Sequence, residues 1–150
     1  MKLEEEIKQA NFKSQHQKLV VNIIYTANWL NYLHTQLCKK HNISVEQFNI
    51  LRILRGQYPN AATINLLIDR MLNKMSNASR LVEKLRLKGM VERQVNKGDR
   101  RACNVLITKK GLDVLTEMDK EENENRPFLA NLNEDEAKQL NVLLDKLRKT

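Results

Sequence analysis

The stretch GMVERQVNKGDRRACNVLIT, residues 89–108, restricts the fold more than any other part of the chain. Two β-like runs, VERQV and ACNVLIT, flank a turn that holds Asn96, Gly98 and Asp99, residue types that favour tight reversals. This is a hairpin. Four Gly and two Pro in 150 residues leave few breaks elsewhere, which predicts long regular elements rather than a sheet-rich fold. The fold must therefore hold one short hairpin among helices. The tip also carries Lys97, Arg100 and Arg101. A turn does not need three cations within five residues, so their cause lies outside the fold.

The charge pattern points to that cause. Between Arg70 and Lys110 there are twelve Lys or Arg against three acids, Glu83, Glu92 and Asp99, an excess of +9. The remaining residues carry fourteen basic and fifteen acidic groups, so the whole net charge of +8 is accounted for by about a quarter of the chain. Such a stripe is the electrostatic footprint of a polyanionic partner. The competing reading is a solvated charged face.

Two cysteines, Cys38 and Cys103, stand 65 residues apart without a CxxC pair. They form no disulfide framework and fit a reducing, cytoplasmic setting. The first residues, MKLEEEIKQANFKSQHQK, lack an apolar segment of the kind a signal peptide carries. No window of eighteen apolar residues occurs, so no membrane partner is expected.

Helical periodicity runs from Gln15 to about Lys40. Leu19, Ile23, Thr26, Leu30, Leu33 and Leu37 recur at alternating spacings of four and three, a seam suited to another helix. Leu3, Ile7 and Ala10 suggest a short leading helix. Ser44 with Gln47 reads as a capping box that opens a helix through about Arg55. GQYPN breaks the pattern. Thr63 caps a short helix with Ile64, Leu67, Ile68 and Met71. After a turn near residues 72–74, a helix from Met75 to Lys88 presents Met75, Ala78, Leu81, Val82 and Leu85 as its buried stripe, and Gly89 stops it. Beyond the hairpin, Thr108 caps a helix from about Lys109 to Asn125. Pro127 interrupts it. Asn133 and Glu136 open a last helix with Ala137, Leu140, Leu144 and Leu147 on one side.

The expected fold is mainly α with a small β-wing. A winged helix-turn-helix lobe, residues 43–110, is flanked by helical regions, 1–40 and 111–150, in one domain over 1–150. The apolar seams of the flanking helices should not face water. A symmetric homodimer is the commonest way to cover them.

SRLVEKLRLKGMVERQVNKGDRRACNVLITKKGLDVL resembles the core of the MarR family of bacterial winged-helix regulators. Three motifs carry the resemblance over about 40 residues. Lys88-Gly89-Met90-Val91-Glu92-Arg93 forms the junction after the recognition helix. Asp99-Arg100-Arg101 is the D-x-R wing tip, and Thr108-Lys109-Lys110-Gly111 is the T-x-x-G strand exit. The resemblance implies a homodimeric transcription regulator, most often a repressor. It places one helix of each subunit in the major groove of double-stranded DNA and the wing in an adjacent minor groove. It also implies an effector, commonly a small phenolic ligand, an oxidant or a metal.

On that basis the candidate DNA contacts of the recognition helix are Ser76, Asn77, Ser79, Arg80 and Lys84. Asn77 suits adenine, and Arg80 suits guanine or a phosphate. Ser76 serves equally well as a helix cap, and Lys84 as a solvated lysine. Lys74 and Lys97 are candidate phosphate contacts. Arg100 or Arg101 suits the minor groove, where negative potential favours arginine. Asp99 repels phosphate and instead orients Arg80 or Arg101.

Three sensors are open. Tyr25, Trp29 and Tyr32 form an aromatic stripe that suits a small aromatic or apolar effector, or simply core. His34, Cys38 and His41 recur at i, i+4, i+7 and give a weak metal site; ordinary helix-face residues are the bland alternative. Cys38 or Cys103 would serve a thiol switch. Thiol-sensing members of the family tend to carry their cysteine near the start of the long first helix, where this chain has none. No cofactor is expected. The chain has no P-loop, no nucleophile elbow and no GxGxxG, and an enzyme is not expected. A winged helix used for protein interaction would carry an apolar patch and a neutralised wing. An RNA-binding role would need aromatic residues arranged on a sheet.

Overall fold

Helix starts are fixed by short polar side chains. Ser14 accepts a hydrogen bond from the Gln17 N–H, Ser44 from Gln47, Thr63 from Leu66, Asn77 from Arg80 and Asn133 from Glu136, all at 2.9–3.1 Å. Each bond satisfies a backbone donor that the first helical turn leaves without a partner. Ser44 with Gln47 and Asn133 with Glu136 form full capping boxes. The computed structural model describes residues 1–95, 98, 103–125 and 127–149.

In chain order the elements are α1 (Leu3–Glu6), α2 (Gln15–Lys40), α3 (Val45–Gln57), β1 (Ala62–Thr63), α4 (Ile64–Arg70), α5 (Ala78–Leu87), β2 (Val91–Val95), β3 (Cys103–Ile107), α6 (Lys109–Asn125), a 3₁₀ turn (Pro127–Asn131) and α7 (Glu134–Leu147). They form two compact units, Met1–Leu115 and Thr116–Thr150. Among the described residues, no helix is long and apolar enough to cross a membrane.

In the first unit, Ile50, Leu51 and Leu54 of α3 are fully buried with Leu67 of α4, Val82 and Leu85 of α5, and Val105 and Ile107 of β3. At roughly 1.5–3 kcal/mol for each fully buried aliphatic side chain, this cluster is the main cohesive term of the lobe. β2 and β3 pair antiparallel in the expected hairpin, with Val91 opposite Ile107 and Val95 opposite Cys103. A third strand was not expected. Ala62 and Thr63 pair with Val105 and Asn104, so β3 lies between β1 and β2.

Two helices end in the same motif. At α2, Ile43 N–H reaches back to the Cys38 carbonyl, Asn42 N–H to Lys39, and Asn42 takes φ +56°. At α5, Met90 N–H reaches Leu85, Gly89 N–H reaches Arg86, and Gly89 takes φ +72°. Both are Schellman ends, with a left-handed residue followed by a buried apolar one, Ile43 or Met90. This packing also explains why Cys38 is only 1% exposed.

The junction motifs gain a physical meaning. Thr108 Oγ1 donates to the Gly89 carbonyl at 2.7 Å and accepts from Gly111 N–H at 3.2 Å. Lys110 Nζ donates to the Lys88 carbonyl at 2.8 Å. The strand exit therefore fastens the end of α5 to the start of α6.

The long helix α2 is exposed along much of its length. Val20, Ile24 and Tyr32 are more than half exposed, and Trp29 is nearly so. Within the seam, Ile23, Leu30, Leu33 and Leu37 are half-buried, while Leu19 and Thr26 are exposed. In the second unit, α7 leaves Leu140, Val142, Leu143 and Leu147 exposed.

Candidate nucleic-acid interface

α4 and α5, joined by residues 71–77, form the helix-turn-helix. Asn49 Oδ1 on α3 accepts from the Leu72 N–H at 2.9 Å, anchoring the turn. Asn73 Oδ1 accepts from Met75 N–H, and Ser76 N–H donates to the Asn73 carbonyl. These local bonds hold residues 73–76 out of the helix. The expected start at Met75 is thus corrected: α5 begins at Ala78, with Asn77 as its cap. Met75, expected in the buried stripe, is 93% exposed. Ala78, Val82 and Leu85 are buried as expected, and Leu81 is half-buried.

This geometry sorts the candidate side chains. Asn77 Oδ1 is engaged by the Arg80 N–H at 3.1 Å. Its Oδ1 therefore caps the helix, which leaves the amide Nδ2 for a base. Asn77→Ala is expected to cost about 1 kcal/mol and lower Tm by about 2–4 °C in a thermal melt. Ser76, half-buried, is not the cap. Ser79, Arg80 and Lys84 are exposed on the side of α5 opposite its buried stripe. Arg80, Lys84 and Lys88 follow one another at i, i+4, i+8, a slowly turning basic stripe. Lys74 Nζ donates to the Ile68 and Asp69 carbonyls and so caps the end of α4.

The acid within the stripe is neutralised. Glu83 accepts from Arg86, with Nη2 at 2.7 Å, and lies 3.8 Å from Arg93 on β2. The Arg86 hydrogen bonds hold the Glu83 carboxyl below its ordinary pKa. The α5 surface is thus not offset by a free carboxylate at that position. Lys97, Asp99, Arg100 and Arg101, the wing-tip candidates, lie outside the described residues.

A cavity of about 500 Å³ opens beside α5. It is lined by Thr35, Cys38 and Lys39 of α2, by Ile43 to Gln47, and by Lys84 and Lys88. The aromatic stripe Tyr25, Trp29 and Tyr32 is the wall that the sequence offers to an effector, or to the core. Those residues do not line this cavity. They stand exposed on α2, and Tyr25 donates to Glu6 Oε2 at 2.9 Å, which raises the Tyr25 pKa. The cavity was not legible because it joins residues far apart in sequence.

The weak metal trio does not assemble. Among the described residues no three His, Cys, Asp or Glu side chains are grouped to hold a metal ion. His34 turns its ring against Phe48, with centroids 6.5 Å apart. Cys38 is in no disulfide and is buried, which removes the solvent access a sensor thiol needs.

The MarR family description matches residues 41–102, the segment from just before α3 through β2 to the residue before β3. That segment is similar to the MarR family. Outside that segment, likeness extends over most of the chain. The transcriptional regulator PecS of Dickeya dadantii is 28% identical over 112 residues, 73% of this chain and 68% of PecS. Among solved structures, a mutant MarR from E. coli complexed with operator DNA matches with TM-score 0.73 and 22% identity, covering 99% of this chain and 100% of the other. An organohalide-sensing regulator, RdhR, in its 2,4-dichlorophenol-bound form matches with TM-score 0.78 and 21% identity, covering 93% of this chain and 85% of the other. At these identities the two structures establish a shared winged-helix fold. Helix α5 is the second helix of the helix-turn-helix, the element that the sequence resemblance casts as the recognition helix.

Proposed function

We propose that this protein is a MarR-type homodimeric repressor that binds a pseudo-palindromic site in double-stranded DNA. Helix α5 enters the major groove, and the wing reaches the adjacent minor groove. The observation that carries this reading is α5 itself. Its apolar side is buried, while Ser79, Arg80 and Lys84 are exposed opposite it, in the part of the chain that holds the whole positive excess. Recognition helices approach base edges with their N-terminal residues, which favours Ser76, Ser79 and Arg80. Lys84 supplies a phosphate contact, and Lys74, whose ammonium has a third N–H beyond the two that cap α4, supplies another. From the wing, Lys97, Arg100 and Arg101 contribute, with Asp99 orienting an arginine.

Residues 43–110 form the DNA-binding lobe, and 1–40 and 111–150 the dimerisation region. The exposed apolar residues of α2 and of α7 support that division, since such faces are covered by association. The repressor sign rests on the family resemblance. Release by a small-molecule effector is supported by the cavity beside Lys84 and Lys88, whose volume falls in the ligand-pocket range. Three lysines against one glutamate in its lining favour an effector with an anionic group.

The test is binding to the DNA upstream of the protein's own gene and to random DNA across a salt series. About three to five phosphate contacts per subunit give a log–log salt slope of roughly −5 to −9. Selective binding with that slope, lost in the Arg100→Ala/Arg101→Ala double variant, is the expected result. Equally weak binding of both proteins to both DNAs would remove the reading for that site.

A further inference from the structure

Lys88 belongs to the basic stripe of α5, yet it points its ammonium into the protein. Nζ donates to the Asn42 carbonyl and, at 3.1 Å, to Gln47 Oε1. Each acceptor is itself fixed. Asn42 is the left-handed residue that ends α2. Gln47 is only 4% exposed, the buried polar side chain of the described core. Its Oε1 also accepts the Ser44 N–H at 3.0 Å, while its own N–H donates to Ser44 Oγ. One amide oxygen thus serves the start of α3 and the end of α5 together. Lys88 is in turn held through its carbonyl by Lys110. The end of α5 is tied on one side to the α2–α3 corner and on the other to α6.

We infer that Lys88 is a positioning residue for DNA recognition, setting the orientation of α5 through Asn42 and Gln47, rather than a phosphate contact. The inference rests on α5 being the DNA-reading helix. The distance makes the effect large. Eight residues, about 12 Å at 1.5 Å per residue, separate Lys88 from Arg80, so a small tilt at the C-terminal end displaces the reading end. Base readout depends on hydrogen-bond geometry, whereas phosphate attraction is tolerant of it. Loss of the tie should therefore lower specific affinity and leave non-specific affinity nearly unchanged. The tie also borders the cavity, where an anionic effector would compete with Asn42 and Gln47 for the same ammonium.

The experiment compares wild type, Lys88→Met, Gln47→Met, the double variant and Gln47→Glu, which keeps both the capping box and an acceptor for Lys88. The DNA is the fragment that wild type selects from a random library, with scrambled DNA as control. Thermal melts identify a temperature at which every variant is folded. The expected result is that Lys88→Met binds the selected fragment at least about tenfold more weakly with an unchanged salt slope. Gln47→Met should act alike, the double variant should be no worse than either, and Gln47→Glu should match wild type. Coupled residues behave in this non-additive way.

A salt slope reduced by about one per subunit, with specific and scrambled binding falling together, is the signature of a lost phosphate contact and would overturn the inference. So would a lower Tm with unchanged binding by the folded protein. If wild type selects no fragment at all, the DNA-binding reading fails, and the inference with it; the wild-type arm alone separates that failure from the others.

Discussion

Gly111→Ala is expected to cost about 3 kcal/mol or more, typical of forcing atoms into a filled space, and to lower Tm by roughly 6–12 °C. A Cβ at this position would overlap the Met90 carbonyl oxygen and stand 2.7 Å from Ile107 Cγ1. The carbonyl cannot move freely, because it accepts the Thr108 N–H at 3.1 Å. Thr108 in turn holds Gly89 and Gly111. Relief of the overlap must therefore open the joint between α5, the sheet and α6. Gly56→Ala is the matched control. It lies within α3 with nothing within 4 Å of the added Cβ, and it should stabilise by roughly 0.5–1 kcal/mol through restriction of the unfolded chain. A Gly111→Ala protein that melts within a degree or two of wild type would show that the joint yields without cost. The T-x-x-G motif would then need another explanation.

Legibility from sequence followed the range of the interaction that fixed each feature. Ser44, Thr63, Thr108 and Asn133 were read as caps because a cap bonds to its own first turn, two or three residues away. The hairpin was read because its turn residues and both strands are contiguous. The start of α5 was misplaced for a local reason too. Met75 continues the apolar period, and Ser76 is as good a capping residue as Asn77. The choice was made by Asn73, whose side chain and carbonyl hold the two preceding residues in a turn. The features that escaped are those that join distant segments. β1 is two residues long and shows no period; it exists because β3 lies about forty residues onward to pair with it. The Lys88 tie spans 46 residues to Asn42. A Lys-Gly junction and an Asn after a helix each have a local signature, but nothing in the sequence says that the two helix ends meet. The same holds for the cavity. The tyrosines and tryptophan of α2 were the visible ligand signal, whereas the space lies against Cys38 and the lysines of α5.

Arg80→Ala should give the largest loss of DNA recognition among single changes in α5. Arg80 is exposed in the first turn of the helix, and its backbone N–H is held by the Asn77 cap, so its side chain leaves a fixed point. A bidentate arginine–guanine pair contributes about 1–3 kcal/mol of discrimination. In the proposed dimer two copies act on one site and double that, so about a 30-fold or greater loss of affinity for the selected site is expected. Arg80→Lys separates the two roles open to this residue. A lysine keeps the charge but not the planar fork. If Arg80 reads a base, Arg80→Lys should lose most of the specific affinity while retaining the salt slope, and discrimination should relax at one symmetric pair of positions. If it holds a phosphate, Arg80→Lys should resemble wild type, and Arg80→Ala should weaken every sequence alike, with the slope reduced by about one per subunit. Unchanged binding in both variants would place the reading surface elsewhere than the exposed side of α5.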